Sequence, residues 1–163
     1  WKYFVKRLLA SSRVFSLEQG ILIHGGGWKK LVEERVSSAS FKEAVGKATC
    51  IRRVHNYYGM VEQTGSIFME CEYGNMHASN LSDIFIRRPH DFSIADLGEQ
   101  GIIQTLSILP TSYPGHSLLT EDEGILLGED DCECGRLGKY FKILGRVKNA
   151  ELRGCSDTYA EQF

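Results

Sequence analysis

The sequence predicts an α/β segment followed by a β-rich one. Three observations carry this expectation. Up to about residue 60, helical and strand patterns alternate. From Ser66 onward, short β-rich runs follow one another between turn residues. Helical periodicity is nearly absent from that second half. The expected division is an α/β part over 1–65, a β-rich, distorted-barrel part over 66–146, and a hinge and tail over 147–163.

The first 18 residues intersperse Lys and Arg among apolar side chains. They read as an amphipathic helix and make a poor signal peptide. GILIHGGGW reads as a buried strand over residues 21–24 entering a glycine turn. A helix is expected over residues 28–34. A second is expected from SSASFKEAVGKA, where Ser38 or Ser40 offers an N-cap and Glu43 stands three residues after Ser40. CIRRVHNYYG reads as a strand ending at Gly59, and this order suits a parallel α/β layer. Beyond Ser66 the strand candidates are SIFMECE, SDIFIRR, QGIIQTLSIL, SLLTED, GILLGE and KYFKILGR. Their spacing suits a meander or a small distorted barrel.

At 163 residues the chain is one modest domain or a piece of a larger protein. It begins with Trp1, which reads as a fragment or a processed product. The net charge of -2 gives no electrostatic ground for a nucleic-acid or anionic-membrane partner. No apolar run is long enough to span a bilayer. The five cysteines are Cys50, Cys71, Cys132, Cys134 and Cys155. An odd count without a secretory signal favours metal binding or a reactive thiol over a disulfide framework, and a cytoplasmic location. Cys50, in an apolar setting, reads as core.

Several stretches carry candidate chemistry. HGGGWK places Gly25, Gly26 and Gly27 after a strand, where backbone approaches a flat or anionic ligand closely. It lacks P-loop spacing, and a plain strand-to-helix turn is the alternative. YGMVE places Glu62 just past a strand end, where a carboxylate can hold Mg2+ beside a phosphate or simply face solvent. Cys71 and His77 are spaced C-x5-H, and Cys132 and Cys134 C-x-C. Three thiols and an imidazole are a standard tetrahedral zinc set, here on two strand-turn positions. Two unrelated pairs of buried residues are the alternative. In RGCS, Arg153 favours a thiolate at Cys155, against the plainer reading of a quiet thiol in a tail.

YGMVEQ, LLTEDEG, CECGRLGKYFKILGR and AELRGCSDT occur here in order. In this they resemble acyl-protein synthetases of the bacterial-bioluminescence type, relatives of phenylacetate–CoA ligases in the adenylate-forming superfamily. The resemblance runs from about Gly20 to Thr158 and implies the C-terminal portion of such an enzyme. It implies ATP-dependent activation of a carboxylic acid, a fatty acid in this branch, as an acyl-adenylate, then transfer to a thiol. That thiol is the enzyme's own cysteine, a partner protein's, or CoA's. By the same resemblance Gly25, Gly26 and Gly27 lie against the adenine of ATP or AMP, with Tyr58 and Gly59 beside it. Glu62 matches the magnesium ligand, Asp122 and Arg146 the two ribose contacts, and Lys148 the hinge position. Cys71, His77, Cys132 and Cys134 match a zinc set, and Cys155 matches the acyl-carrying cysteine near the C-terminus.

The chain also departs from the pattern. Val61 replaces a hydroxyl residue, and TED replaces TGD. Neither a Ser/Thr/Gly-rich phosphate loop nor a lid lysine is recognisable. The expectation is therefore a fragment, inactive without its N-terminal half. Two other readings stand beside it, a ligase that uses free CoA and a zinc-stabilised binding module without catalysis.

Overall fold

The computed structural model describes residues 2–11, 15–25 and 36–148. They fall into two compact units divided between His55 and Asn56.

The first unit holds helix α1 (Lys2–Ala10), strand β1 (Ile21–Gly25), helix α2 (Ser38–Thr49) and the start of strand β2 (Arg53–Tyr58). Val5, Leu22, Val45, Ala48, Ile51 and Val54 form its core. The first helix is shorter than the expected 1–18 because Ser11 turns its hydroxyl onto the Leu8 carbonyl at 2.7 Å. Phe15 and Leu17 then donate their amides to the Ala48 and Thr49 carbonyls. These carbonyls close α2 and have no partner within their own helix. The α2 cap is Ser37, neither the expected Ser38 nor Ser40; its hydroxyl accepts from the Ser40 amide at 3.1 Å. Cys50 is not a core residue. It is the half-buried C-cap of α2, in the left-handed conformation at φ 60, and its amide reaches the Gly46 carbonyl. The helix expected over 28–34 lies outside the described residues.

The second unit holds the end of β2, a 3-10 turn (Val61–Gln63) and six further strands. These are β3 (Phe68–Glu70), β4 (Met76–His77), β5 (Ser82–Arg87), β6 (Gln100–Ser107), β7 (Ser117–Glu129) and β8 (Lys139–Arg146). Their order is β2-β3-β4-β8-β7-β6-β5. The pairs are antiparallel, so two meanders meet where β4 lies against β8.

SLLTED and GILLGE are one strand, not two. Gly124 continues β7 instead of breaking it, with a register shift against β8 at Glu123/Gly124. A Cβ there would stand 2.8 Å from both Ile103 Cδ1 and the Lys142 carbonyl, so this glycine serves close approach. A second shift follows at Leu126/Gly128.

The sheet curls strongly. Phe68 on β3 and Ile84 and Ile86 on β5 belong to one buried cluster with Ile103 and Phe141, although five steps of strand order separate β3 from β5. Lys139 on β8 shows the same curl. Its Nζ lies 2.8 Å from Asp83 Oδ2 and 4.2 Å above the Phe85 ring, both on β5. This is the distorted-barrel character expected of this part. Each fully buried Phe or Ile contributes about 1.5–3 kcal/mol by leaving water. The free edge of β5 is covered by the following turn, through the Arg87–Ile94 bridge and the Ala95 amide on the Ile86 carbonyl.

Candidate functional site

Two tight turns bring four sulfur and nitrogen donors together. The β3–β4 turn closes through the Cys71 amide on the Asn75 carbonyl, and Gly74 takes the left-handed conformation it needs. It leaves Cys71 at the end of β3 and His77 on β4. The β7–β8 turn closes through the Asp130 amide on the Gly138 carbonyl, and carries Cys132 and Cys134. Pairing of β4 with β8 sets one turn beside the other. The ligand atoms of Cys71, His77, Cys132 and Cys134 all lie within 4.8 Å of one another. A tetrahedral zinc with sulfur ligands at about 2.3 Å sets its donors about 3.8 Å apart, so the set fits such an ion. Cys71, His77 and Cys132 are buried, and Cys134 is half-buried.

The electrostatics also suit a metal. Burial, aided by the Arg136 guanidinium, holds the His77 imidazole below its usual value against the pull of Glu72, and so keeps it neutral. Burial opposes a thiolate at Cys132. The Cys134 amide, the Asn75 side chain and the neighbouring thiols outweigh it and lower that thiol. Asn75 Nδ2 stands 3.5 Å from Cys132 Sγ. Burial and the neighbouring Cys132 and Cys71 thiols push Cys134 up.

A second constellation lies where β2 and β8 end beside the middle of β7. Tyr58 donates its hydroxyl to Asp122 Oδ2 at 2.8 Å. Burial and the Asp122 charge push the Tyr58 phenol far above its usual range, so it remains a donor. Asp122 and Arg146 are register partners across β7 and β8. Arg146 Nε lies 3.6 Å from Asp122 Oδ1, and its Nη2 lies 2.6 Å from Glu121 Oε2. The Thr120 hydroxyl accepts the Asp122 amide at 3.1 Å and fixes the strand there.

Glu62 sits exposed on the 3-10 turn after β2. Its backbone is held from below. Tyr113 donates its hydroxyl to the Glu62 carbonyl at 2.7 Å and receives the Thr64 amide at 3.2 Å. Next to Glu62, Gln63 is 1% exposed and donates to the Gly115 carbonyl at 2.9 Å. A Cβ at Gly59 would stand 3.1 Å from the Ser66 carbonyl, a tight approach.

The structure therefore gathers Cys71 with His77, Cys132 and Cys134, and Tyr58 with Asp122 and Arg146. Lys148 is exposed in the turn just past β8. Gly25 ends β1 in the first unit. Gly26, Gly27 and Cys155 lie outside the described residues. Asn75, Gln63 and Tyr113 were not legible from sequence. Asn75 had one signal, its place in a glycine turn between two metal-ligand types; Tyr113 had none.

None of the curated proteins compared matches this chain. Among solved structures it is similar to apo MatB from Rhodopseudomonas palustris. They share 19% identity, the match covers 90% of this chain and 30% of that one, and the TM-score is 0.60. ATP-bound MatB from the same organism gives 20% identity, 88% and 29% coverage and a TM-score of 0.57. A long-chain-fatty-acid-CoA ligase, FadD1 from Archaeoglobus fulgidus, gives 15%, 90% and 32%, and 0.58. The chain thus has their fold, over about 30% of the MatB length. The family model described as acyl-protein synthetase, LuxE, matches residues 5–163. With nearly its whole length matched, the chain belongs to the LuxE acyl-protein synthetase family.

Proposed function

We propose that this chain is part of an enzyme that activates a fatty acid with ATP and passes the acyl group to a thiol. The observation that supports it most is the Tyr58–Asp122–Arg146 cluster in a member of this family. In the first step a carboxylate oxygen of the acid attacks the α-phosphorus of ATP, and the bond to pyrophosphate breaks. In the second a thiolate attacks the acyl carbon of the adenylate, and AMP leaves.

Asp122 accepts the ribose hydroxyls, and Arg146 reaches the same sugar. The family resemblance assigns adenine contacts to Tyr58 and Gly59 and, separately, to Gly25, Gly26 and Gly27. Glu62 would hold magnesium, which offsets phosphate charge. Lys148 is the hinge before a tail that carries Cys155, the proposed acceptor thiol. Cys71, His77, Cys132 and Cys134 would hold zinc, which crosslinks the two turns. Arg146 lies six positions along β8 from Tyr140, which is beside this centre, about 20 Å of strand. A zinc held there would be structural, away from the proposed nucleotide contacts.

The test is exchange of labelled pyrophosphate into ATP by the full-length protein. Fatty acids of increasing length should drive it. If no fatty acid does so, the reading fails. Exchange accompanied by acyl-CoA formation, with no acyl group on the protein, would instead make it a CoA ligase.

A further inference from the structure

Tyr140 lies beside the metal centre without being one of its ligands. It is the register partner of His77 on β4 and of Gly128 on β7, so the three form one cross-strand row. Its ring stacks on the His77 imidazole, with centroids 5.7 Å apart and planes inclined by 21°. Its hydroxyl and the carboxylate of Asp131, the residue before Cys132, both face Gly128. One side chain thus stacks on the imidazole of one turn and reaches towards the root of the thiol pair on the other.

Gly128 makes room for this. A Cβ at that position would lie 2.4 Å from Asp131 Oδ1 and 2.7 Å from the Tyr140 hydroxyl. No backbone strain demands glycine there, because its φ is not in the left-handed region. The missing side chain leaves space for the Tyr140–Asp131 contact alone. The turn itself is braced separately, by the Gly138 amide on Asp130 Oδ1 at 2.6 Å.

We propose that Tyr140 and Asp131 are positioning residues that hold His77 and the Cys132–Cys134 turn in ligand geometry before a metal arrives. This rests on the reading of the four-residue cluster as a metal site. Groups that orient metal ligands typically alter affinity by about 10–100-fold when removed. Tyr140 keeps the imidazole plane fixed by stacking, and its hydroxyl fixes the distance to the thiol turn through Asp131. Pre-arranged ligands bind more tightly because less ordering is left to the binding step.

The experiment titrates zinc, in competition with a chromophoric chelator, and cobalt, by its visible absorption, into the reduced, metal-free protein. Tyr140→Phe keeps the ring and removes the hydroxyl. Gly128→Ala pushes the hydroxyl and the carboxylate apart. Both should bind zinc roughly 10–100-fold more weakly, with broadened cobalt bands and an unchanged circular dichroism spectrum. Asp131→Asn keeps an accepting oxygen and should stay near wild type, whereas Asp131→Ala should match Tyr140→Phe. If either core variant does not fold, Asp131→Ala, at an exposed position, gives the same readout. Wild-type binding with Tyr140→Phe and Asp131→Ala within twofold of it overturns the clamp and leaves the metal site standing. A wild-type protein that takes up neither metal overturns both.

Discussion

Asp122, inside β7, and Arg146, at the end of β8, face each other as register partners, with Arg146 Nε 3.6 Å from Asp122 Oδ1. Tyr58 holds the other carboxylate oxygen at 2.8 Å. Asp122→Ala in the full-length protein is expected to lower pyrophosphate exchange by about 10–100-fold, the weight of one or two hydrogen bonds to a charged group. It should cost about 1–3 kcal/mol of stability by leaving the Tyr58 hydroxyl unpaired. Unchanged exchange would remove Asp122 from the nucleotide site.

Zinc is expected at one ion per chain, and Cys71→Ser should abolish stoichiometric binding. Because such binding is coupled to folding, a strong chelator should expose the amides of β3, β4 and the 130–138 turn to hydrogen exchange, ahead of β5 and β6. Elemental analysis and exchange mass spectrometry read the two effects. Protein purified without added zinc and free of metal would count against the site.

Cys155 is expected to carry the acyl group. Full-length protein with ATP and labelled fatty acid should gain a hydroxylamine-sensitive label. Cys155→Ser should lose that label and keep pyrophosphate exchange. A variant labelled as well as wild type would place the acyl group elsewhere.

Acid should loosen the 88–99 turn first. Arg88 and the Asp96 amide hold the Glu99 carboxyl below its usual value. The Ser93 amide and hydroxyl do the same for Asp91. Between the folded and unfolded values the folded turn binds fewer protons than the unfolded chain, so its stability rises with pH there. The stabilisation is full above the ordinary carboxylate value of about 4 and is lost as pH falls through the lowered ones. Amide exchange across the turn should quicken below that pH, and Glu99→Gln should flatten the dependence.

Phe141 is fully buried and meets Phe68 edge-to-face at 5.5 Å and Tyr58 at 6.3 Å. Phe141→Ala should cost about 3–5 kcal/mol in urea unfolding. It should also weaken pyrophosphate exchange, since the Tyr58 ring loses the wall that aims its hydroxyl at Asp122.

What was legible in the sequence was what local pattern encodes. KYFKILGR gave β8 with its observed bounds because glycine precedes it and β-prone residues fill it. The four metal-ligand residues stood out by type and spacing. The β4 strand was not legible, because two residues carry no period; β8 and β3 define it by pairing on either side. Gly124 reads as a break until the Ile103 side chain against it is seen. Ser37 and Ser38 differ only in which hydroxyl points at an amide. Tyr140 and Asp131 look like ordinary β-strand and turn residues, and their meaning lies in the glycine that faces them.

The two register shifts between β7 and β8 bear on how the protein reaches its native state. A hairpin with two irregularities has competing pairings one residue away. In one of them Arg146 stands opposite Glu123, an equally attractive carboxylate, so charge alone cannot reject the slip. The cysteine turn at the closed end can reject it. Its thiols meet Cys71 and His77 in one alignment, and a slipped hairpin would leave the ligand set incomplete. Metal uptake would thereby act as a proofreading step for strand alignment, completed some 20 Å from the residues whose alignment it checks.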